Sequence, residues 1–292
     1  MKTSEINLRD PFVLLHDGKY YMYGTRGYEC WTDQAHGLDV YISEDLENWS
    51  EPVTVFSRTP DFKYTMNYWA PEVHEYRGRF YMFVSFKAQN VCRGTSILVS
   101  DRPDGRFVPY SDGNITPPDW ECLDGTLYVS PDGTPYMVFC HEWKQTVNGE
   151  ICAMQLTFDL KAAAGKPELL FHAADAEWVT QPAERYVTDG PFIYHLGNDD
   201  LVMIWSSFGS LGYAVGMAKA KDGHILEGWT QQKEPLFSQN GGHGMIFKAK
   251  DGRIMLALHS PNESLQERPV FLELEEKEQG LRLKGVRGLQ RD

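Results

Sequence analysis

The 292-residue chain has no Lys- or Arg-rich run and no basic stripe; 28 basic residues against 41 acidic ones leave a formal charge of −13. That balance argues against nucleic acid or an anionic membrane surface as partner, and makes a strongly anionic substrate a poor fit. No apolar run approaches the length of a membrane-spanning helix. The opening MKTSEINLRDPF lacks the apolar core of a secretory signal, so a cytoplasmic location is expected. The five cysteines (Cys30, Cys92, Cys122, Cys140, Cys152) are odd in number and show no CxxC spacing. That pattern predicts reduced thiols, with neither a disulfide framework nor a zinc site. Helical stretches are few: KAAAGKPELL (161–170) alone suggests a short helical turn. No low-complexity linker divides the chain, so one domain over residues 1–292 is expected.

Aromatic residues are abundant, with 8 Trp, 15 Tyr and 15 Phe. Most are expected in strands and core, and some to line a carbohydrate site, because sugars present apolar C–H faces to aromatic rings. Five segments repeat one layout. They are DPFVLLHDGKYYMYGT from Asp10, APEVHEYRGRFYMFVSF from Ala70, LDGTLYVSPDGTPYMVFCHEW from Leu123, TDGPFIYHLGNDDLVMIWSSF from Thr188 and GGHGMIFKAKDGRIMLALHSPN from Gly241. Each opens on a small, Pro- or Gly-containing turn. A short apolar strand, a Gly/Asp/Asn turn and a second apolar strand follow, and the Asp-Gly and Arg-Gly pairs are hairpin signals. Further strand pairs lie between the segments, as in LDVYISEDLENWS (38–50). Units of about four strands, starting roughly 50 to 65 residues apart, predict an all-β, five-bladed β-propeller.

In such a ring the starts of the innermost strands gather at one mouth of the central channel. The expected blade heads are Asp10, Glu72, Asp124, Asp189 and His243. Asp10, Asp124 and Asp189 each precede Pro or Gly and are expected at one register of the repeat. A single Asp in that position commonly bonds its own backbone in a turn. Three of them beside apolar inner strands point instead to a shared pocket, where crowding separates carboxyl pKa values into acid and base roles.

With RDPF and HDGKYYMYGT, YWAPEV and GRFYMF, LDGTLYVSPDGTPYMVF, TDGPF followed by WSS, and GGHGM followed by LHSPN and ERP, the whole chain resembles glycoside hydrolase family 43. These are five-bladed propeller enzymes acting on arabinosides and xylosides. The resemblance implies an inverting mechanism, with Asp10 as general base, Asp189 as general acid and Asp124 as the residue that orients the acid and tunes its pKa. It also implies removal of terminal α-L-arabinofuranosyl or β-D-xylosyl units from small oligosaccharides. The pattern departs at the acid, where the family carries Glu-Gly-Pro and this chain Asp-Gly-Pro. The shorter arm requires a closer approach to the glycosidic oxygen, or an acid drawn from elsewhere, such as Glu142 or Glu184.

The resemblance places His243 in the central channel near a bound calcium or its waters. Calcium prefers oxygen ligands, so His243 would act through water, and the chemistry itself requires no metal. Arg268 matches an Arg that reaches substrate, or else pairs with Glu267. Trp69 is a stacking platform or an inter-blade packing residue, Glu72 a hydroxyl ligand or a rim residue, and Phe12 a subsite wall or packing. Trp143 is expected in the pocket wall. The rival readings are a glycoside phosphorylase and a non-catalytic sugar-binding propeller. The first needs a phosphate-binding cationic cluster, which the blade heads lack. The second has no use for clustered carboxylates. Oligomeric state is not legible in the sequence.

Overall fold

The computed structural model describes residues 1–32, 34–180, 185–278 and 280–285. Five four-stranded antiparallel sheets, each a simple meander, form the blades of a five-bladed β-propeller. Blade 1 holds β1 (Leu8–His16), β2 (Lys19–Arg26), β3 (Gly37–Ser43) and β4 (Val53–Ser57). Blade 2 holds β5 (Met66–Tyr76), β6 (Arg79–Ala88), β7 (Val91–Ser100) and β8 (Val108–Pro109). Blade 3 holds β9 (Cys122–Val129), β10 (Pro135–His141), β11 (Glu150–Gln155) and β12 (Glu168–His172), with the single helical turn α1 (Trp143–Thr146) between β10 and β11. Blade 4 holds β13 (Asp189–His195), β14 (Leu201–Gly209), β15 (Gly212–Ala220) and β16 (Trp229–Gln231). Blade 5 holds β17 (Gly242–Lys248), β18 (Ile254–Ser260), β19 (Arg268–Lys277) and β20 (Gly280–Leu283).

Local chemistry explains the hairpins. Asp17-Gly18 and Arg77-Gly78 each join two strands by a two-residue loop, with φ of 46° and 71° in the first and 50° and 77° in the second. Positive φ at both central residues matches the twist of the flanking strands, and Gly adopts it without a Cβ clash. The helical turn expected within 161–170 is absent. Gly165 and Pro167 interrupt it, and the segment runs through bends into β12.

Apolar faces of neighbouring blades bury one another. Phe56, Phe62, Tyr64, Tyr68 and Phe86 interlock between blades 1 and 2, and Phe171, Trp178 and Trp205 between blades 3 and 4. Most aromatic residues are thus core, as expected. Blades 1 and 5 share no strand, so side chains close the ring. Arg9 pairs with Glu267 at 2.8 Å, Asn7 donates to the Glu267 carbonyl at 3.1 Å, and Arg268 donates to the Ser4 carbonyl at 2.9 Å.

Each innermost strand carries a bulge near its start. At the bulge one residue has positive φ: Asp10 (53°), Ala70 (46°), Asp124 (58°), Gly190 (50°) and His243 (52°). Four of the five carry a Cβ, in a backbone region that such residues seldom occupy. This ring of kinked residues corrects the expected register. Blade 2 contributes Ala70 rather than Glu72, and blade 4 Gly190 rather than Asp189. Asp189 stands one residue earlier, opposite Ser206, in register with Arg9, Trp69, Leu123 and Gly242. The residue after each kink is Pro11, Pro71, Gly125, Pro191 or Gly244, so Asp-Gly-Pro places its Gly at the kink.

Candidate active site

The two rows of residues meet at one mouth of the channel and line a cavity of about 480 Å³. Asp10, Asp124 and His243 come from the kinked row, and Arg9, Trp69, Leu123 and Asp189 from the row before it. Trp31, Trp143, Lys144, Phe208, Tyr213, Asn262 and Ser264 complete much of the wall. Asp10, Asp124 and Asp189 therefore converge. Gly190 has to be small here, because a Cβ on it would lie 2.8 Å from the His243 ring.

Asp10 is buried and hydrogen-bonded on two sides. Oδ2 accepts from Thr25 Oγ1 at 2.6 Å, and the backbone N–H donates to His259 Nδ1 at 3.2 Å. That bond puts the His259 proton on Nε2, which faces Asn262 Oδ1 at 3.3 Å. Burial pushes His259 down, and the Asp10 charge does not reverse it, so the ring stays neutral. His243 Nδ1 lies 3.3 Å from Asp10 Oδ1 and 3.7 Å from Asp124 Oδ2. Burial lowers the His243 pKa, but Asp10, Asp124, Asp189 and Glu72 outweigh it and the net shift is upward. Burial raises Asp10 in turn, yet His243, His259 and Arg9 hold it well below the usual carboxylate range.

The other two carboxyls behave oppositely. Burial pushes Asp124 up to about 7, against His243, with Asp189 and Asp10 adding to the rise. Asp124 Oδ2 accepts the Gly190 N–H at 3.0 Å, and its own N–H donates to Ser85 Oγ at 3.0 Å. Burial also pushes Asp189 up, to about 6, against His243 and against the Tyr213 hydroxyl that donates to Oδ2 at 2.9 Å. The two interact strongly, so they titrate as a pair that keeps a proton into the near-neutral range. One carboxylate held ionised and one pair held protonated, in one pocket, suit general base and general acid work.

The remaining expected residues divide. Trp69 lines the cavity, with the Arg93 guanidinium 4.4 Å over its ring and the edge of Trp31 at 5.5 Å. Trp143, on α1, lines it too. Phe12 does not reach the cavity; it is buried in the channel beneath, against His74 and Phe192. Glu72 is buried rather than on the rim and bonds His74 Nε2 at 3.0 Å. Arg268 also lies outside the lining, because its guanidinium is taken by the carbonyls of Ser4, Leu265 and Glu267. Glu142 lines the wall but is held by Arg93 at 2.7 Å and Lys144 at 3.3 Å. Glu184 lies outside the described residues. Among the described residues no group of three or more His, Cys, Asp or Glu could hold a metal ion.

Sequence reasoning missed Arg9, Trp31, Tyr213 and His259. Arg9 adjoins Asp10, and His259 sits in LHSPN, so both carried a local signal. Trp31 and Tyr213 reach the pocket only through the curl of a loop and of a third strand.

Residues 3–277 match the family model described as glycosyl hydrolases family 43. The fold is similar to the crystal structure of endo-arabinase from Bacteroides thetaiotaomicron VPI-5482, with a TM-score of 0.87 and 41% identity over 95% of this chain and 98% of that one. The sequence is similar to extracellular endo-alpha-(1->5)-L-arabinanase 1 of Bacillus subtilis (strain 168), 23% identical over 55% of this chain and 52% of that protein. It is also similar to alpha-L-arabinofuranosidase 43 of Humicola insolens, 22% identical over 83% of this chain and 52% of that protein. The chain spans about half the length of these two curated relatives.

Proposed function

The chain belongs to glycosyl hydrolases family 43, and from that premise we propose that it is an inverting enzyme releasing terminal α-L-arabinofuranosyl units from arabinose-containing oligosaccharides. β-D-Xylosides are the close alternative substrate. One observation carries the reading: Asp10 and Asp189 face one cavity from the non-adjacent blades 1 and 4, with the first held ionised and the second pushed up to about 6. Inversion needs room for a water between the base and the anomeric carbon, with the carboxyls about 6.5–9.5 Å apart.

In the proposed step a water attacks the anomeric carbon and gives its proton to Asp10. The glycosidic C–O bond breaks, and Asp189 protonates the departing oxygen. Protonated His243 keeps Asp10 ionised and faces Asp124. Asp124 ties the Gly190 backbone, and through it the acid, to blade 3. Asp189 is less buried than Asp10, which suits an acid whose arm is one methylene short. The cations lining it are already paired, Arg9 with Glu267 and Lys144 with Glu142, which disfavours phosphate as the acceptor.

The likeness to an endo-arabinase favours a second reading, internal cleavage of arabinan. Linear arabinan separates the two: monosaccharide release with slow loss of viscosity supports the exo reading, rapid viscosity loss the endo one. For the roles, p-nitrophenyl α-L-arabinofuranoside and β-D-xyloside are compared in wild type, Asp10→Ala and Asp189→Ala. Asp10→Ala is expected to lose about 100- to 10,000-fold on any substrate. Asp189→Ala should keep much of its activity on these good leaving groups and little on oligosaccharides. Equal losses on both substrate types in Asp189→Ala would refute the acid assignment.

A further inference from the structure

The kinked row is held by a repeated latch between blades. In four of the five junctions, a side chain on the second strand of one blade accepts the backbone N–H of the kinked residue in the next. Thr25 Oγ1 accepts from Ala70 at 2.8 Å, Ser85 Oγ from Asp124 at 3.0 Å, and Ser206 Oγ from His243 at 2.8 Å. His259 Nδ1 accepts from Asp10 at 3.2 Å and closes the circle. All four acceptors occupy one register, opposite the residue that precedes the kink. At the remaining junction, from blade 3 to blade 4, that register holds Cys140, opposite Leu123. There the N–H of the kinked Gly190 goes instead to Asp124 Oδ2, at 3.0 Å.

We infer that the break in the latch at Cys140 is a positioning device for the reaction: by withholding a strong acceptor, position 140 leaves the Gly190 N–H to Asp124 and so couples Asp124 to the strand that carries Asp189. A neutral thiol is a weak acceptor beside a hydroxyl or an imidazole nitrogen. Cys140 is fully buried, so its thiol stays neutral, and it lies beside Thr188. The N–H would otherwise be buried without a partner, a costly state, so it takes the nearest strong acceptor. A carboxylate gains more from that bond than a hydroxyl does. The bond also spans the two blades whose carboxyls share a proton. The junction from blade 3 to blade 4 is thus the one of the five whose acceptor is a carboxylate of the site. The amide donor favours the charged form of Asp124, opposing the burial that pushes it up to about 7, and so draws the shared proton toward Asp189, where the leaving group needs it.

The inference rests on Asp189 as the acid, and its test separates the two ideas. Wild type, Cys140→Ser, Cys140→Ala and Asp189→Ala are assayed on 2,4-dinitrophenyl and p-methoxyphenyl α-L-arabinofuranosides. The first leaving group needs little protonation and the second much. Asp189→Ala reports the acid assignment: it should act nearly as wild type on the first and lose most activity on the second. Cys140→Ser restores a hydroxyl at the latch register and should draw the Gly190 N–H away from Asp124. A shift of the shared proton by about one pKa unit would lower kcat on p-methoxyphenyl arabinofuranoside about tenfold, with kcat on the dinitrophenyl substrate nearly constant. Cys140→Ala offers no acceptor, so its ratio of the two rates should match that of wild type even if both fall through altered packing. The inference is overturned if Cys140→Ser keeps the wild-type ratio, or if Cys140→Ala changes it as much as Cys140→Ser does.

Discussion

Replacing Tyr213 by Phe tests the electrostatics of the site with little disturbance of its shape. Tyr213 is 2% exposed, and its hydroxyl donates to Asp189 Oδ2 at 2.9 Å. The ring also stacks on His259, with centroids 5.7 Å apart, and meets Phe208 at 5.2 Å. Phe keeps the ring and removes only the donor. A donor to a carboxylate stabilises the charged form, so it lowers the pKa, and its loss raises it. A hydrogen bond to a charged group contributes about 1.5–3 kcal/mol, and one pKa unit is about 1.4 kcal/mol, so the rise is roughly one to two units. Asp189, already pushed up to about 6 by burial, would then hold its proton to about pH 7–8. As the general acid it works only while protonated. The alkaline limb of kcat/KM should therefore move up by about one to two pH units, while the rate near pH 5 changes little. The assay is a pH profile of kcat/KM on an aryl arabinofuranoside with a poor leaving group, for wild type and Tyr213→Phe. A limb that stays in place, or moves down, would refute the claim that the proton lost there belongs to the pair containing Asp189.

Three further outcomes follow from named contacts. Glu267→Ala leaves Arg9 without its partner at the junction of blades 1 and 5, and breaking a buried pair costs about 3–5 kcal/mol, so calorimetry should show a clear drop in Tm; an unchanged Tm would mean ring closure does not depend on this pair. Thr25→Val removes the donor to Asp10 and the acceptor of the Ala70 N–H, and denaturant unfolding should show a loss of about 1–3 kcal/mol. Trp31 is 61% exposed at the cavity edge, so Trp31→Ala should raise KM for oligosaccharides several-fold with kcat unchanged, the behaviour of a residue that binds ground and transition states alike. A fall in kcat at constant KM would place Trp31 in the chemistry instead.

The five repeats, their strand pairs and the hairpin turns were legible because their signals are local. Alternating side chains, Asp-Gly or Arg-Gly pairs and a regular spacing each act over a few residues. The three carboxylates were legible for the same reason, since each sits beside a Pro or Gly at the start of a repeat. The position of Asp189 within its repeat was not. Gly190, rather than Asp189, takes the kink, and that depends on how β13 pairs with β14. Glu72 and Phe12 read as pocket residues because they follow the blade heads, yet strand alternation past the kink sends both into the buried channel. Arg268 read as a substrate ligand, but its guanidinium is held by a carbonyl 264 residues away.

By itself, then, the sequence determined the architecture, the family and the identity of the clustered carboxylates, because these rest on short-range patterning repeated five times. Tertiary structure alone decided which carboxylate is held ionised, which pair keeps a proton, and that Tyr213, His243 and His259 set those states. Protonation depends on burial and on charges a few ångströms away, and the closed ring brings those charges together from blades 1, 3, 4 and 5.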